Sequence, residues 1–237
     1  MPIQPEIEEI AETVDRRKKE ASFDPAKIGE MLEKGLEDKV IGAGAECIVT
    51  SIEGKPQEVA AYTYRMLSPA EAKRVFYTQR ILSTLFPYNF PHFYAAIGAE
   101  SSHKRATGTI RQKVVEESEN KIAQSLTKLL YAHSPFQNKL LRKTLAIKHP
   151  WEKVIEESKK IELQLPVDYV GKNNFMLGAD GGEYYVDRSS IDLSGVNQGK
   201  IHEYMKQNGY SEQDIEIIET SLNRLKALGI SQQKQVD

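Results

Sequence analysis

The first chemically suggestive segment of this 237-residue chain runs from Ile41 to Val49 and contains Gly42 and Gly44. Two glycines between β-rich residues leave bare backbone, which could lie over a phosphate without obstruction by side chains. A Gly-x-Gly sequence is also common in ordinary hairpins, so this segment alone favours a simple turn.

The second segment, from Leu165 to Leu177, contains Asp168 and, six residues later, Asn174. A carboxylate in such a loop could accept the proton of a substrate hydroxyl, while an asparagine carbonyl could face a metal ion. The alternative is a loop in which both side chains make Asx turns with the backbone.

The third segment is the end of an apolar strand. Asp187 follows the run Glu183–Val186 and lies thirteen residues beyond Asn174. A carboxylate oxygen at a strand end is the ligand that Mg²⁺ bound to nucleotide phosphates requires. The alternative role for this aspartate is capping the N-terminus of a helix.

Composition narrows the class of protein. The chain has 32 basic and 34 acidic residues and 40% hydrophobic residues, which excludes a generic nucleic-acid-coating protein and predicts no nucleic-acid partner. Cys47 is the only cysteine, which excludes an internal disulfide and a Cys-rich zinc site. No apolar run approaches the roughly 20 residues of a membrane span, so we expect a cytoplasmic protein.

Hydrophobic periodicity predicts a β-rich half followed by an α-rich half. Residues 1–35 predict two helices, and the stretch from Leu36 to Tyr64 predicts a meander of about three antiparallel strands with a turn at Glu53–Pro56. The remaining elements of this half are a helix at Pro69–Phe86, opened by the cap residue Ser68, and strands at His92–Ile97 and Gly108–Val115.

The pattern after Glu116 is helical except for one hairpin. The glycine-rich turn Gly178–Gly182 joins the strands Asn174–Leu177 and Glu183–Val186 and is predicted to need positive φ angles. The predicted helices are Lys121–Ala132, Pro135–Ile147, Trp151–Ile161, Lys200–Gln207 and Ser211–Leu228, the last ended by Gly229.

In this order, the three segments and the helix end Ile81–Pro87 resemble the protein-kinase-like superfamily. The resemblance covers nearly the whole chain from Leu36 onward. It implies an α+β, two-lobed protein-kinase-like fold. The expected parts are an N-terminal helical extension (1–35), a small antiparallel β-sheet lobe with one helix (36–117), and a mainly helical lobe with one hairpin (118–237).

The resemblance also implies roles for individual residues. Asp168 matches the catalytic-loop aspartate, Asn174 or Asn173 the metal-binding asparagine, and Asp187 the metal-binding aspartate. The cofactors would be ATP and Mg²⁺, bound between the lobes. The implied nucleotide contacts are Gly42 and Gly44 in the glycine-rich loop, Arg65 as a substitute cation, and Val115 in the hinge segment 114–117.

Several positions depart from the family pattern. Tyr62 stands where the family has its phosphate-binding lysine, and Thr78 or Gln79 where the partner glutamate is expected. Asp187 is followed by Arg188 rather than by Phe-Gly.

Three functions are compatible with these departures. The first is a divergent kinase-like protein that binds ATP and Mg²⁺ and phosphorylates a small-molecule hydroxyl. The second is a catalytically inactive pseudokinase or interaction module that regulates a protein partner. The third sets the resemblance aside and treats the chain as an α+β interaction protein whose glycines and aspartates shape turns.

Overall fold

The computed structural model describes residues 40–43, 47–63, 67–98, 107–114, 145, 147–165, 174–186 and 196–233. The predicted helices within 1–35 and at Lys121–Ala132 lie outside the described residues, as does nearly all of Pro135–Ile147. The chain divides into two compact units. Unit 1 contains the described residues up to Tyr77, His92–Lys113 and the described residues from Ile230 onward, and unit 2 contains Thr78–Pro91 and Val114–Gly229. The predicted boundaries after residues 35 and 117 stay predictions.

Unit 1 contains a five-stranded antiparallel sheet with the strand order β1-β2-β3-β5-β4. The first three strands form the predicted meander, and the turn between β2 and β3 is tight because Gly54 adopts a φ of +72°. The strands are β1 (Val40–Ala43), β2 (Cys47–Ile52), β3 (Lys55–Thr63), β4 (Phe93–Ile97) and β5 (Gly108–Gln112).

One helix, α1 (Pro69–Leu85), separates β3 from β4. Its start is fixed by a capping box: the Ser68 Oγ accepts a hydrogen bond from the Glu71 N–H at 3.2 Å, and the Glu71 carboxylate accepts one from the Ser68 N–H at 2.8 Å. The helix ends shortly before Pro87, which cannot continue a helical hydrogen-bond ladder. The predicted helix is confirmed, one residue shorter than expected.

Unit 2 contains the second part of α1, a two-stranded hairpin and three further described helices. Its apolar core surrounds Trp151 and Phe90, both fully buried, and takes in side chains from all of these elements. The elements are α2 (Trp151–Lys160), β6 (Phe175–Leu177), β7 (Glu183–Tyr185), α3 (Gln198–Gln207) and α4 (Glu212–Gln233). The hairpin and the three helices occur where the sequence predicted them.

The C-terminal end of α4 differs from the prediction. The expected cap at its start is present, since the Ser211 Oγ accepts a hydrogen bond from the Asp214 N–H at 3.1 Å. The helix continues through Gly229 to Gln233, so the prediction that Gly229 ends it is wrong. A glycine permits the left-handed conformation that ends a helix but does not require it, and Gly229 has no positive φ.

These elements give an α+β fold, and the predicted fold class is confirmed. The described elements are an antiparallel sheet with one helix, followed by a hairpin among helices, and the resemblance to the protein-kinase-like superfamily implied these parts in this order. None of the helices within the described ranges is long and apolar enough to span a membrane.

Candidate functional site

The open end of the β6–β7 hairpin carries Asn174, one of the predicted metal ligands. The main-chain carbonyl oxygen of Asn174 accepts a hydrogen bond from the Val186 N–H at 2.8 Å. This bond extends the ladder in which Phe175 pairs with Tyr185. The chain therefore enters and leaves the hairpin at neighbouring points. Asp187 is the next residue after Val186 in the sequence.

The closed end of the hairpin is a turn built by glycines and one carboxylate. Gly181 has a φ of +81°, which confirms the predicted need for positive φ at this position in the turn. The Asp180 carboxylate accepts hydrogen bonds from the Gly182 N–H at 3.0 Å and from the Tyr184 hydroxyl at 2.7 Å. Burial, reinforced by this bond to Asp180, raises the pKa of Tyr184 well above its ordinary value. Tyr184 therefore keeps its proton at neutral pH and holds the turn closed.

Gly42, the described member of the predicted glycine pair, lies in β1 opposite Val49. A Cβ built on Gly42 would meet the Val49 Cβ at 3.9 Å, an ordinary contact, so the local packing does not require glycine here. The two residues before it, Val40 and Ile41, are 54% and 45% exposed. The start of β1 therefore presents apolar side chains at one edge of the sheet.

Tyr62, at the position that the resemblance gives to the phosphate-binding lysine, is buried in unit 1 with 4% of its surface exposed. Its ring belongs to an apolar cluster on the sheet that also contains Tyr94, Ala60 and Ile110. The tyrosine at this position thus packs in the core of the sheet, and its side chain carries no positive charge.

The positions expected for the glutamate partner of that lysine are equally uncharged. Thr78 and Gln79 lie in α1 and are 5% and 1% exposed, respectively. Neither side chain can form the ion pair of the family pattern, which agrees with the departures seen in the sequence.

The other predicted site residues lie outside the described residues. Their convergence with Gly42 and Asn174 therefore stays a prediction. Within the described ranges, no group of three or more His, Cys, Asp or Glu side chains is arranged to hold a metal ion. The predicted site residues that lie outside the described ranges are Gly44, Arg65, Val115, Asp168, Asn173 and Asp187.

A stacked aromatic pair beside the hairpin was not anticipated from the sequence. The rings of Tyr88 and His149 lie 3.9 Å apart between centroids and are tilted by 8°. Burial lowers the pKa of His149, with Lys153 and Lys148 acting in the same direction and Asp180 in the opposite one. The signal that could have indicated a structural role for His149 is its position in the sequence. It directly precedes Pro150, the N-cap residue of α2.

The fully buried Glu183 was also missed as a residue of structural importance. From the sequence, Glu183 is predicted only to begin an apolar strand. A charged residue in the otherwise apolar run from Glu183 to Val186 is the signal that could have identified it, because a carboxylate is buried only when hydrogen-bond donors compensate it.

No protein-family model matches the chain, and no curated protein matches it. Solved structures similar to it include the GDP complex of wild-type aminoglycoside 2'-phosphotransferase-IIIa, with 12% identity, a TM-score of 0.34, and coverage of 88% of this chain and 93% of that one. The GDP and kanamycin complex of APH(2")-IIia is similar over 86% of this chain and 88% of that one, with 12% identity and a TM-score of 0.31. Both similarities are low, and the fold assignment rests on the order of the elements instead.

Proposed function

We propose that this chain is a divergent kinase-like protein that binds ATP with Mg²⁺ and phosphorylates a hydroxyl group of a small molecule. The observation that supports this most directly is the hydrogen bond between the Asn174 carbonyl and the Val186 N–H. It ties together the chain before β6 and the chain after β7. Asp187 directly follows Val186, and consecutive Cα atoms are about 3.8 Å apart. The Cα of Asp187 must therefore lie about that distance from the Cα of Val186.

In this proposal, Asp187 and Asn174 supply oxygen ligands to Mg²⁺, with Asn173 as the alternative to Asn174. Mg²⁺ prefers one or two protein oxygen ligands and completes its shell with water and phosphate oxygens. Asp168 accepts the proton of the acceptor hydroxyl as that oxygen attacks the terminal phosphorus and ADP leaves.

The nucleotide contacts proposed in unit 1 begin at β1. The exposed apolar side chains of Val40 and Ile41 directly precede Gly42, and such a surface is suited to the flat apolar face of a nucleobase or ribose. Gly42 and Gly44 would leave the backbone free for phosphate, and Arg65 would supply the missing positive charge. Val115, which belongs to unit 2, would contact the base.

The second candidate function is a catalytically inactive pseudokinase or interaction module that regulates a protein partner. The buried Tyr62 favours it. Phosphoryl transfer depends on neutralising phosphate charge, and loss of the lysine is expected to cost several orders of magnitude in rate unless another cation replaces it. Arg65 is therefore the residue on which the two functions differ.

Thermal unfolding with and without ATP and Mg²⁺ tests nucleotide binding. A ligand at about one hundred times its dissociation constant stabilises the folded state by roughly 2.7 kcal/mol, which raises the melting temperature measurably. We expect a Mg²⁺-dependent rise for the unmodified chain and none for Asp187→Asn. The control is Asp180→Asn, which changes a turn carboxylate of the same hairpin and should retain the rise.

Transfer of the ATP terminal phosphate to a panel of hydroxyl-bearing small molecules separates the two candidates. For the enzyme, Asp168→Asn should retain the thermal shift and lose turnover, and Arg65→Ala should lose both or weaken both strongly. Binding without turnover on any acceptor favours the inactive alternative. Absence of a thermal shift at millimolar ATP contradicts the proposed function.

A further inference from the structure

We infer that Asn89 and Glu183 are positioning residues that hold β7, and through it Asn174 and Val186, in the geometry a metal and nucleotide site would need. The functional consequence of this inference rests on the proposed function, whereas the structural consequence does not. All the contacts concerned lie within unit 2.

Glu183 caps a helix that is remote in sequence. It is fully buried, and its Oε2 accepts a hydrogen bond from the Trp151 N–H, the first residue of α2, at 2.6 Å. The N-cap residue Pro150 makes no side-chain capping bond of its own. The positive end of the helix dipole and a first-turn N–H group, which has no acceptor within its own helix, therefore meet a carboxylate supplied by β7.

Asn89 holds the other edge of the same strand. It is 7% exposed, and its Nδ2 donates to the carbonyl oxygens of His149 at 2.9 Å and Glu183 at 3.0 Å. The main-chain carbonyl oxygen of Asn89 accepts a hydrogen bond from the Tyr185 N–H at 2.8 Å. Strand β7 is thus bonded to β6 on one side and to Asn89 on the other.

At the start of β7, the backbone of Gly182 lies so close to Tyr88 that a side chain would not fit between them. A Cβ on Gly182 would lie 2.2 Å from the Tyr88 carbonyl oxygen. The Glu183 N–H also donates to the His149 carbonyl oxygen at 3.3 Å. Three separate chain segments therefore fix one strand of three residues.

The hydrogen bonds of Asn89 and Glu183 together form a clamp on β7, and this clamp is close in sequence to the proposed site. Val186 is the residue after Tyr185 and donates its N–H to the Asn174 carbonyl, so a displacement of β7 displaces both. A buried carboxylate is costly, and an apolar residue of similar size often packs as well or better. The directional bond to Trp151, which an apolar residue cannot make, is what Glu183 adds.

Glu183→Leu removes the acceptor of the Trp151 N–H, whereas Glu183→Gln keeps an oxygen that can accept from it. Asn89→Ala removes the side-chain hydrogen bonds to the His149 and Glu183 carbonyl oxygens. Ile218→Ala is the matched control, because Ile218 is buried in the same core but lies in α4 rather than in the hairpin. Two quantities are measured on the full chain at a temperature where circular dichroism shows every variant folded. These are the dissociation constant of ATP with Mg²⁺ and the hydrogen-exchange rates of the Val186 and Trp151 amides relative to those of α3, which carries none of the substitutions.

We expect Glu183→Leu and Asn89→Ala to weaken ATP binding about tenfold and to speed relative exchange at Val186 by a similar factor. Glu183→Gln and Ile218→Ala should stay within about threefold of the unmodified chain for both quantities. Should Glu183→Leu fail to fold, Asn89→Ala compared with Ile218→Ala decides the question.

Equal effects of the clamp variants and Ile218→Ala, or unchanged exchange at Val186 in the clamp variants, would overturn the inference. If the unmodified chain binds no ATP, the proposed function fails by itself. The exchange rates then still decide whether Asn89 and Glu183 position the strand.

Discussion

Tyr210 donates a hydrogen bond from its hydroxyl group to the carbonyl oxygen of Leu85, 125 residues earlier, at 2.7 Å. Leu85 is the last residue of α1, and the carbonyl groups in the last turn of a helix have no partner within the helix. Tyr210 directly precedes Ser211, the cap of α4. The hydroxyl group therefore completes the end of one helix from the start of another.

Removal of this hydroxyl by Tyr210→Phe is expected to lower the free energy of unfolding by about 1 kcal/mol, since the buried Leu85 carbonyl would lose its donor. Burial raises the pKa of Tyr210, so the hydroxyl is protonated and able to donate at neutral pH. Urea denaturation at neutral pH measures the change. Tyr88→Phe, at a tyrosine 46% exposed in the same unit, is the control and should change stability by less than about 0.5 kcal/mol.

The capping box at the start of α1 gives a second prediction. Ser68→Ala removes the acceptor of the Glu71 N–H and should destabilise the fold by about 1 kcal/mol. Glu71→Gln keeps an oxygen that can accept from the Ser68 N–H and should cost less, because glutamine also occurs at this position of capping boxes. Urea denaturation of both variants tests this order, and a larger loss for Glu71→Gln would contradict it.

The elements of this fold could be predicted from the sequence where a local rule governs them. Ser68 followed by Pro69 marks the start of α1, and the glycine-rich turn with Gly181 marks the hairpin, because capping and positive φ depend on residues close together in the chain. Gly229 shows the limit of such rules. It is compatible with a helix end and equally compatible with a helix that continues.

The contacts that join elements could not be predicted in this way. The bond from Asn89 to the Glu183 carbonyl spans 94 residues, and no sequence period or spacing encodes it. For the candidate site, the sequence indicated Asn174 at the open end of a hairpin. The charge of Glu183 in an apolar run marks that residue as unusual, but it does not indicate that the partner of Glu183 is the first turn of α2. Burial of a charged group is a property of the assembled core, and it is visible only after the elements have packed.

His149 should make stability depend on pH. Burial lowers the pKa of His149, so below the ordinary histidine value of about 6.5 the unfolded chain binds a proton that the folded chain does not. Stability is therefore expected to fall as the pH falls below that value, until the folded form also becomes protonated. Above it, His149 contributes no pH dependence.

His149→Phe keeps an aromatic ring to stack on Tyr88 and removes the titration. Urea denaturation of both proteins between about pH 7.5 and pH 5.5 should show a smaller loss of stability for the variant. An identical loss in both would mean that His149 does not cause the dependence.

The close approach of Gly182 to the Tyr88 carbonyl oxygen gives the last prediction. The Cβ of Gly182→Ala would lie 2.2 Å from that oxygen, a distance at which the backbone must shift, so we expect destabilisation by about 2 kcal/mol. Gly229→Ala is the opposite case. Among the described residues, its Cβ would meet no atom within 4 Å apart from the neighbouring backbone of α4. Alanine is favoured over glycine inside a helix by about 1 kcal/mol, so this variant should be more stable than the unmodified chain. Urea denaturation of both variants should therefore give free-energy changes of opposite sign. Stabilisation by Gly182→Ala would show that Gly182 is not in close contact with the Tyr88 carbonyl oxygen. Destabilisation by Gly229→Ala would show that α4 ends before residue 229.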